Sequence, residues 1–83
     1  MTIEKIVEDM AGIMVEKLDI GKDMTITSES NIIELGMDSV ALMTLWVYME
    51  EHFGFTADED VLFNTVFETI GDIAKYVLSK VEE

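Results

Sequence analysis

The stretch Leu35-Gly36-Met37-Asp38-Ser39-Val40-Ala41-Leu42-Met43-Thr44-Leu45-Trp46-Val47 decides how this 83-residue chain is read. A glycine-relaxed turn delivers an aspartate and a serine to the first residues of a strongly apolar segment. The spacing predicts a helix there, from about Ser39 to Glu51. Leu42, Leu45, Trp46 and Met49 recur at i, i+3, i+4 and i+7, the period of one buried helix face. Val40, Met43, Thr44 and Val47 repeat that spacing on a second face. In so small a domain, a helix apolar on two faces is either buried nearly all round or offers one face to a partner. Asp38 and Ser39 stand where a helix cap belongs. The same place, with its unpaired N–H groups and positive dipole end, also receives phosphate well.

Working outward toward the N-terminus, Lys22 to Met37 forms a long connection. Thr27-Ser28-Glu29-Ser30-Asn31 are its turn formers, and Ile32-Ile33-Leu35 a short apolar anchor. Its length suggests a function or a helical turn inside it. Before it, Ile3, Ile6, Val7, Met10, Met14 and Leu18 mark the buried face of a first helix ended by Gly21. Toward the C-terminus, Gly54 closes the central helix. Asp58 to Phe63 reads as a short third helix or turn, with Asp58, Glu59 and Asp60 at its favourable start. Thr69 and Asp72 stand in capping-box spacing ahead of a last helix, whose core face is Ile70, Ile73, Ala74, Val77 and Val81. No strand is predicted. The expectation is an all-α, four-helix bundle forming one domain over residues 1–83, with a long loop between helices 1 and 2.

Composition narrows the function. Eighteen acidic residues against five lysines give a net charge of −13. Such a surface repels nucleic acid and anionic membrane and steers basic partners toward it. There is no cysteine, hence no disulfide and no thiolate metal site. No apolar run approaches the ~20 residues of a membrane span, and Met1-Thr2-Ile3-Glu4 lacks a signal peptide's basic start. The expectation is a soluble, cytoplasmic, monomeric protein.

Self-contained catalysis is not expected. The single histidine, His52, lies thirteen residues after Ser39, roughly 20 Å along one helix at ~1.5 Å per residue. They cannot form a nucleophile–base pair. His52 reads instead as a cation near a helix C-terminus. Asp58-Glu59-Asp60 lacks the alternating ligands, central glycine and closing glutamate of a calcium loop, so no metal site is expected.

The sequence resembles the acyl carrier protein family. Leu35-Gly36-Met37-Asp38-Ser39-Val40, followed by Leu42, Leu45 and Glu50-Glu51-His52-Phe53-Gly54, is similar to its phosphopantetheine attachment segment. The first amphipathic helix, the long loop and Thr69-Ile70-Gly71-Asp72-Ile73-Ala74-Lys75-Tyr76-Val77 extend the likeness over essentially the whole chain. The resemblance implies that Ser39 accepts 4′-phosphopantetheine from coenzyme A through a separate phosphopantetheinyl transferase. It implies a carrier and not an enzyme, holding cargo as a thioester for an acyl- or aminoacyl-loading enzyme and downstream synthases or transferases. Asp38 would serve transferase recognition, cap the helix, or both. Partner contact is expected from Met37, Val40, Met43 and Val47, with Glu50 and Glu51 as the acidic part.

Two departures matter. Carriers of fatty-acid synthesis usually have acidic residues two and five positions after the serine, where this chain has Ala41 and Thr44. That favours a dedicated fatty-acid- or polyketide-like pathway with less basic, more apolar docking surfaces. A stand-alone aminoacyl or peptidyl carrier loaded by an adenylating enzyme is the alternative, and an unmodified acidic docking module is the alternative from another class. Trp46 stands on the core stripe where such carriers usually have a smaller aliphatic residue. It either simply packs the core or restricts the space open to cargo.

Overall fold

A computed structural model describes residues 1–82, and among them the secondary structure is four helices. Helix α1 (Ile3–Lys17) starts behind Thr2, whose hydroxyl accepts from the Lys5 N–H at 3.2 Å. It ends earlier than Gly21. Leu18 is the C-cap, and Asp19 turns left-handed with φ 57°. Aspartate tolerates that conformation better than most residues. Gly21 shapes a turn further on, where Met24 N donates to its carbonyl.

The long connection contains one helical turn. Leu35 N donates to Asn31 O at 3.1 Å, and the Asn31 Oδ1 caps the turn by accepting from Glu34 N. A helical turn sets successive side chains about 100° apart, so its apolar residues cannot all face inward. Ile32 is buried and Leu35 half-buried, but Ile33 is 81% exposed. The expected three-residue anchor is therefore chiefly Ile32.

Helix α2 (Ser39–Phe53) runs two residues beyond the expected end and closes at Gly54, the left-handed C-cap with φ 72°. Helix α3 (Glu59–Asn64) is six residues long and has no buried residue. Helix α4 (Ile70–Val81) begins with the predicted capping box. Asp72 N donates to Thr69 Oγ1, while Asp72 Oδ2 accepts from the N–H groups of both Thr69 and Glu68, each at 3.1 Å. Those backbone donors hold the Asp72 carboxyl below the usual aspartate value.

The start of α4 is also tied to the long loop. Ile32 N reaches Glu68 O, Ile70 N reaches Ser30 O, and Gly71 N reaches Ser28 O at 2.7 Å. An isolated antiparallel bridge joins Asn31 and Thr69, the nearest thing to a strand among the described residues. Gly71 is required by this approach, since a Cβ there would lie 2.7 Å from the Ser28 carbonyl oxygen.

The core sits where α1 packs against α4 and α2. Ile6, Met10, Met14, Leu45, Met49, Ile70, Ile73 and Val77 are its fully buried side chains. The predicted stripes supply all eight. Their outer members, Ile3, Leu18, Leu42 and Val81, are half-buried at its margin. No helix is long and apolar enough to cross a membrane among the described residues.

Candidate functional site

Ser39 is the first residue of α2. The chain reaches it through Gly36, whose φ of 86° lets the helical turn reverse, and through Asp38 in an extended conformation. Asp38 Oδ1 accepts from Ala41 N at 2.8 Å, and its carbonyl takes the first helical bond from Leu42 N at 2.9 Å. Asp38 is thus the N-cap. Ser39 is exposed, and its hydroxyl receives and donates no hydrogen bond among the described residues. The N–H groups of Ser39 and Val40 also lack intramolecular acceptors, as expected for a first turn. An exposed, unengaged hydroxyl beside free amide donors suits a covalently attached phosphate.

The second stripe of α2 faces outward. Val40, Met43 and Val47 are each more than half exposed, on one face running away from Ser39. Thr44 turns its hydroxyl back onto the Val40 carbonyl at 2.9 Å, so it adds little polarity to that face. Beside it a cleft of about 540 Å³ opens at Ser39. Leu42, Met43, Trp46 and Val47 line it from α2, and Leu62 and Phe63 from α3, with Glu50 and Glu59 also on its walls. Pockets of several hundred Å³ with apolar walls take small organic groups.

Two of the expected partner residues are placed otherwise. Met37 is only 6% exposed and belongs to the core. The turn at Gly36 rotates it inward, so it offers no surface beside Ser39. Glu50 is half-buried, and its Oε2 accepts from Ala57 N at 2.8 Å. It ties down the segment after α2 instead of projecting as a docking charge. Glu51 is exposed as expected, but it borders a second, smaller cleft with Ile13, Lys17, Tyr48 and His52. His52 Nε2 lies 3.2 Å from Asp9 Oδ2, joining the end of α2 to α1. Burial pushes the Asp9 carboxyl up, but hydrogen bonds and charge from Lys5 and His52 outweigh it and leave the value lowered.

The third helix supplies what sequence reasoning missed. Leu62 and Phe63 form the far wall of the cleft, and Phe63 and Val66 are among the most exposed large side chains. The signal was available in principle: Val61-Leu62-Phe63 is an apolar run in a helix too short to bury it. Tyr76 holds this segment in place. Its hydroxyl accepts from Asp58 N at 2.9 Å and lies 3.2 Å from Asp58 Oδ2, which Lys80 Nζ also approaches at 3.4 Å. No spacing in the sequence marks a contact across eighteen residues. Among the described residues no group of three or more His, Cys, Asp or Glu side chains is arranged to hold a metal ion.

The chain is similar to known proteins over nearly its whole length. A family model described as phosphopantetheine attachment site matches residues 8–77. The acyl carrier protein of Exiguobacterium sibiricum is 31% identical over 81 residues, covering 98% of this chain and 100% of the relative. Acyl carrier protein 1, chloroplastic, of Spinacia oleracea is 31% identical over 80 residues, and the chain spans 55% of that relative's length. An acyl carrier protein from Thermotoga maritima superposes with a TM-score of 0.84 at 22% identity, covering 96% of this chain and 91% of that one. At that identity the likeness is one of fold.

Proposed function

The chain belongs to the acyl carrier protein family, and from that premise we propose that Ser39 is the attachment point of its 4′-phosphopantetheine group. The chain is then a carrier and not an enzyme. One observation carries the assignment: an exposed serine hydroxyl, free of partners, stands at the first position of α2 beside an apolar cleft. In the attachment step the Ser39 Oγ would form a bond to the phosphorus of coenzyme A that bears the pantetheine arm, and the pyrophosphate linkage to the nucleotide would break. The nucleotide part leaves, and the serine proton passes to a base on the transferase.

Once attached, the group supplies a thiol on a flexible arm, on which cargo is held as a thioester. This chain's residues do the rest. Asp38 fixes the helix start and so the position of Ser39. The amide donors of Ser39 and Val40 suit the phosphodiester charge. Val40, Met43 and Val47 form the apolar centre of a docking face for the transferase, the loading enzyme and the enzymes that consume the cargo. The net charge of −13 draws basic partner surfaces toward the molecule, raising encounter rate more than adding affinity, and the apolar face then makes the contact.

The cargo is an acyl intermediate of a dedicated fatty-acid- or polyketide-like pathway. Ala41 is half-buried, and Thr44 is turned onto its own helix. The first three turns of α2 therefore offer partners apolar contact, with no side-chain charge between Ser39 and Tyr48.

The test is direct. Incubation with coenzyme A and a broad-specificity phosphopantetheinyl transferase should add one phosphopantetheine mass to the intact protein, and Ser39→Ala should abolish the gain. An unmodified wild-type protein would instead favour an acidic docking module. A gain that survives Ser39→Ala would move the attachment elsewhere.

A further inference from the structure

Trp46 is at once a wall of the cleft beside Ser39 and part of the core, only 4% exposed. It stands seven positions after Ser39, on the same helix face and about 10 Å further along the axis. Leu42 and Met43 fill the interval. Everything else that lines the cleft comes from α2, the segment after it, or α3. None of the fully buried residues of α1 and α4 lines the cleft.

The indole is backed by two further rings. Phe67 lies 5.4 Å away, tilted at 59°, and Tyr76 lies 5.7 Å away at 81°. Phe67 and Tyr76 are themselves 6.2 Å apart. Tyr76 is held in turn by its hydrogen bonds to Asp58 at the start of α3. Tilted and edge-on packing of this kind is favourable beyond the area it buries. A side chain confined by two rings, one of them hydrogen-bonded, does not swing aside easily.

We propose that Trp46 is the specificity-determining residue of the cleft, a partition that closes the route from Ser39 into the helix interior and limits how much of an acyl chain is sheltered. Cargo is confined between α2 and α3. Acyl groups compact enough for that space are protected whole, and the distal part of a longer chain stays in solvent. This inference rests on the reading of Ser39 as the attachment point, since it concerns what the attached arm presents to the cleft.

The physical expectation is a break in chain-length dependence. Each methylene that enters the cleft favours the sheltered state about fourfold, and a methylene beyond the partition adds nothing. The experiment loads Ser39 with a graded series from acetyl to hexadecanoyl. It follows thioester hydrolysis by intact mass, and the emission of Trp46, the only tryptophan. In the wild type, hydrolysis should slow with chain length and then level off, with the emission change saturating at the same length. In Trp46→Leu the levelling should shift to chains several carbons longer, and Trp46→Phe should fall between.

Wild-type protection that keeps growing through hexadecanoyl would overturn the proposal, and that measurement needs no variant to fold. A break at the same chain length in all three proteins would overturn it equally. Loss of core packing alone would alter stability, but it would not move the break. Failure of Ser39 to be loaded by the transferase would count against the attachment reading, and is seen before any hydrolysis is measured.

Discussion

Helices α3 and α4 are neighbours in the chain, and both start among acidic residues, yet they are built in opposite ways. In α4 the acid is used: Asp72 completes a capping box, and Ile70, Ile73, Ala74 and Val77 bury one face. In α3 Asp58 sits at the cap position without a side-chain cap bond, and no residue is buried. Its carboxylate is drawn away to Tyr76 and Lys80 of α4. The difference teaches that α4 is held by its own period and cap, whereas α3 is held by its neighbours. A segment held that way is suited to walling a cleft, because its apolar side chains remain available to something other than the core.

The most forceful way to break this comparison is to delete apolar atoms from each helix. Ile73→Ala should cost about 2–5 kcal/mol in denaturant unfolding, because a fully buried side chain leaves a cavity. Leu62→Ala in α3 should cost about 1 kcal/mol or less, since its side chain is only half-buried. Equal losses would mean that α3 belongs to the core after all.

Glycine substitutions sharpen the same contrast at the clasped start of α4. Gly71→Ala drives a Cβ into the Ser28 carbonyl and should destabilise by about 1–3 kcal/mol. Gly12→Ala, on α1, meets nothing within 4 Å and should stabilise by about 0.5–1 kcal/mol. A thermal melt in which the two variants move together would show that the loop yields to the new methyl group, and that the clasp is loose.

The smallest effect is electrostatic. The folded carboxyl of Asp72 is lowered, so its contribution is fully present above the unfolded aspartate value of about 3.9 and is lost as pH falls through the folded value. Asp72→Asn should therefore be less stable at pH 7 by under about 1 kcal/mol, with the gap closing in acid below about pH 4. A gap that persists unchanged at low pH would mean that the capping geometry, and not the charge, is what the variant loses.

Much of this was legible in advance where a residue's role depends on its near neighbours in the chain. The Thr69–Asp72 box, the Gly54 stop and the buried stripes of α1 and α4 all follow from spacings of one helical turn. Asp38 and Ser39 at the start of α2 follow in the same way. The errors fall where a side chain's fate depends on a reversal of the chain. Met37 and Glu50 are both expected among the partner-facing residues. The turn at Gly36 sends the first inward, and the Ala57 N–H claims the second.

By itself, then, the sequence determined four helices, their buried faces, the capped start of α2 and the serine that stands there. Periodicity and capping are local, and an 83-residue chain without prolines or cysteines leaves few alternatives to them. Only the tertiary structure decided that Leu62 and Phe63 line a cleft with Trp46, that Phe67 and Tyr76 pack against that indole, and that Ile33 points outward while Ile32 does not. A period shows which residues share a face. Which face meets which neighbour is set by the loops that turn the chain, and by the few hydrogen bonds, such as Gly71 to Ser28 and Asp58 to Tyr76, that fix those loops at long range.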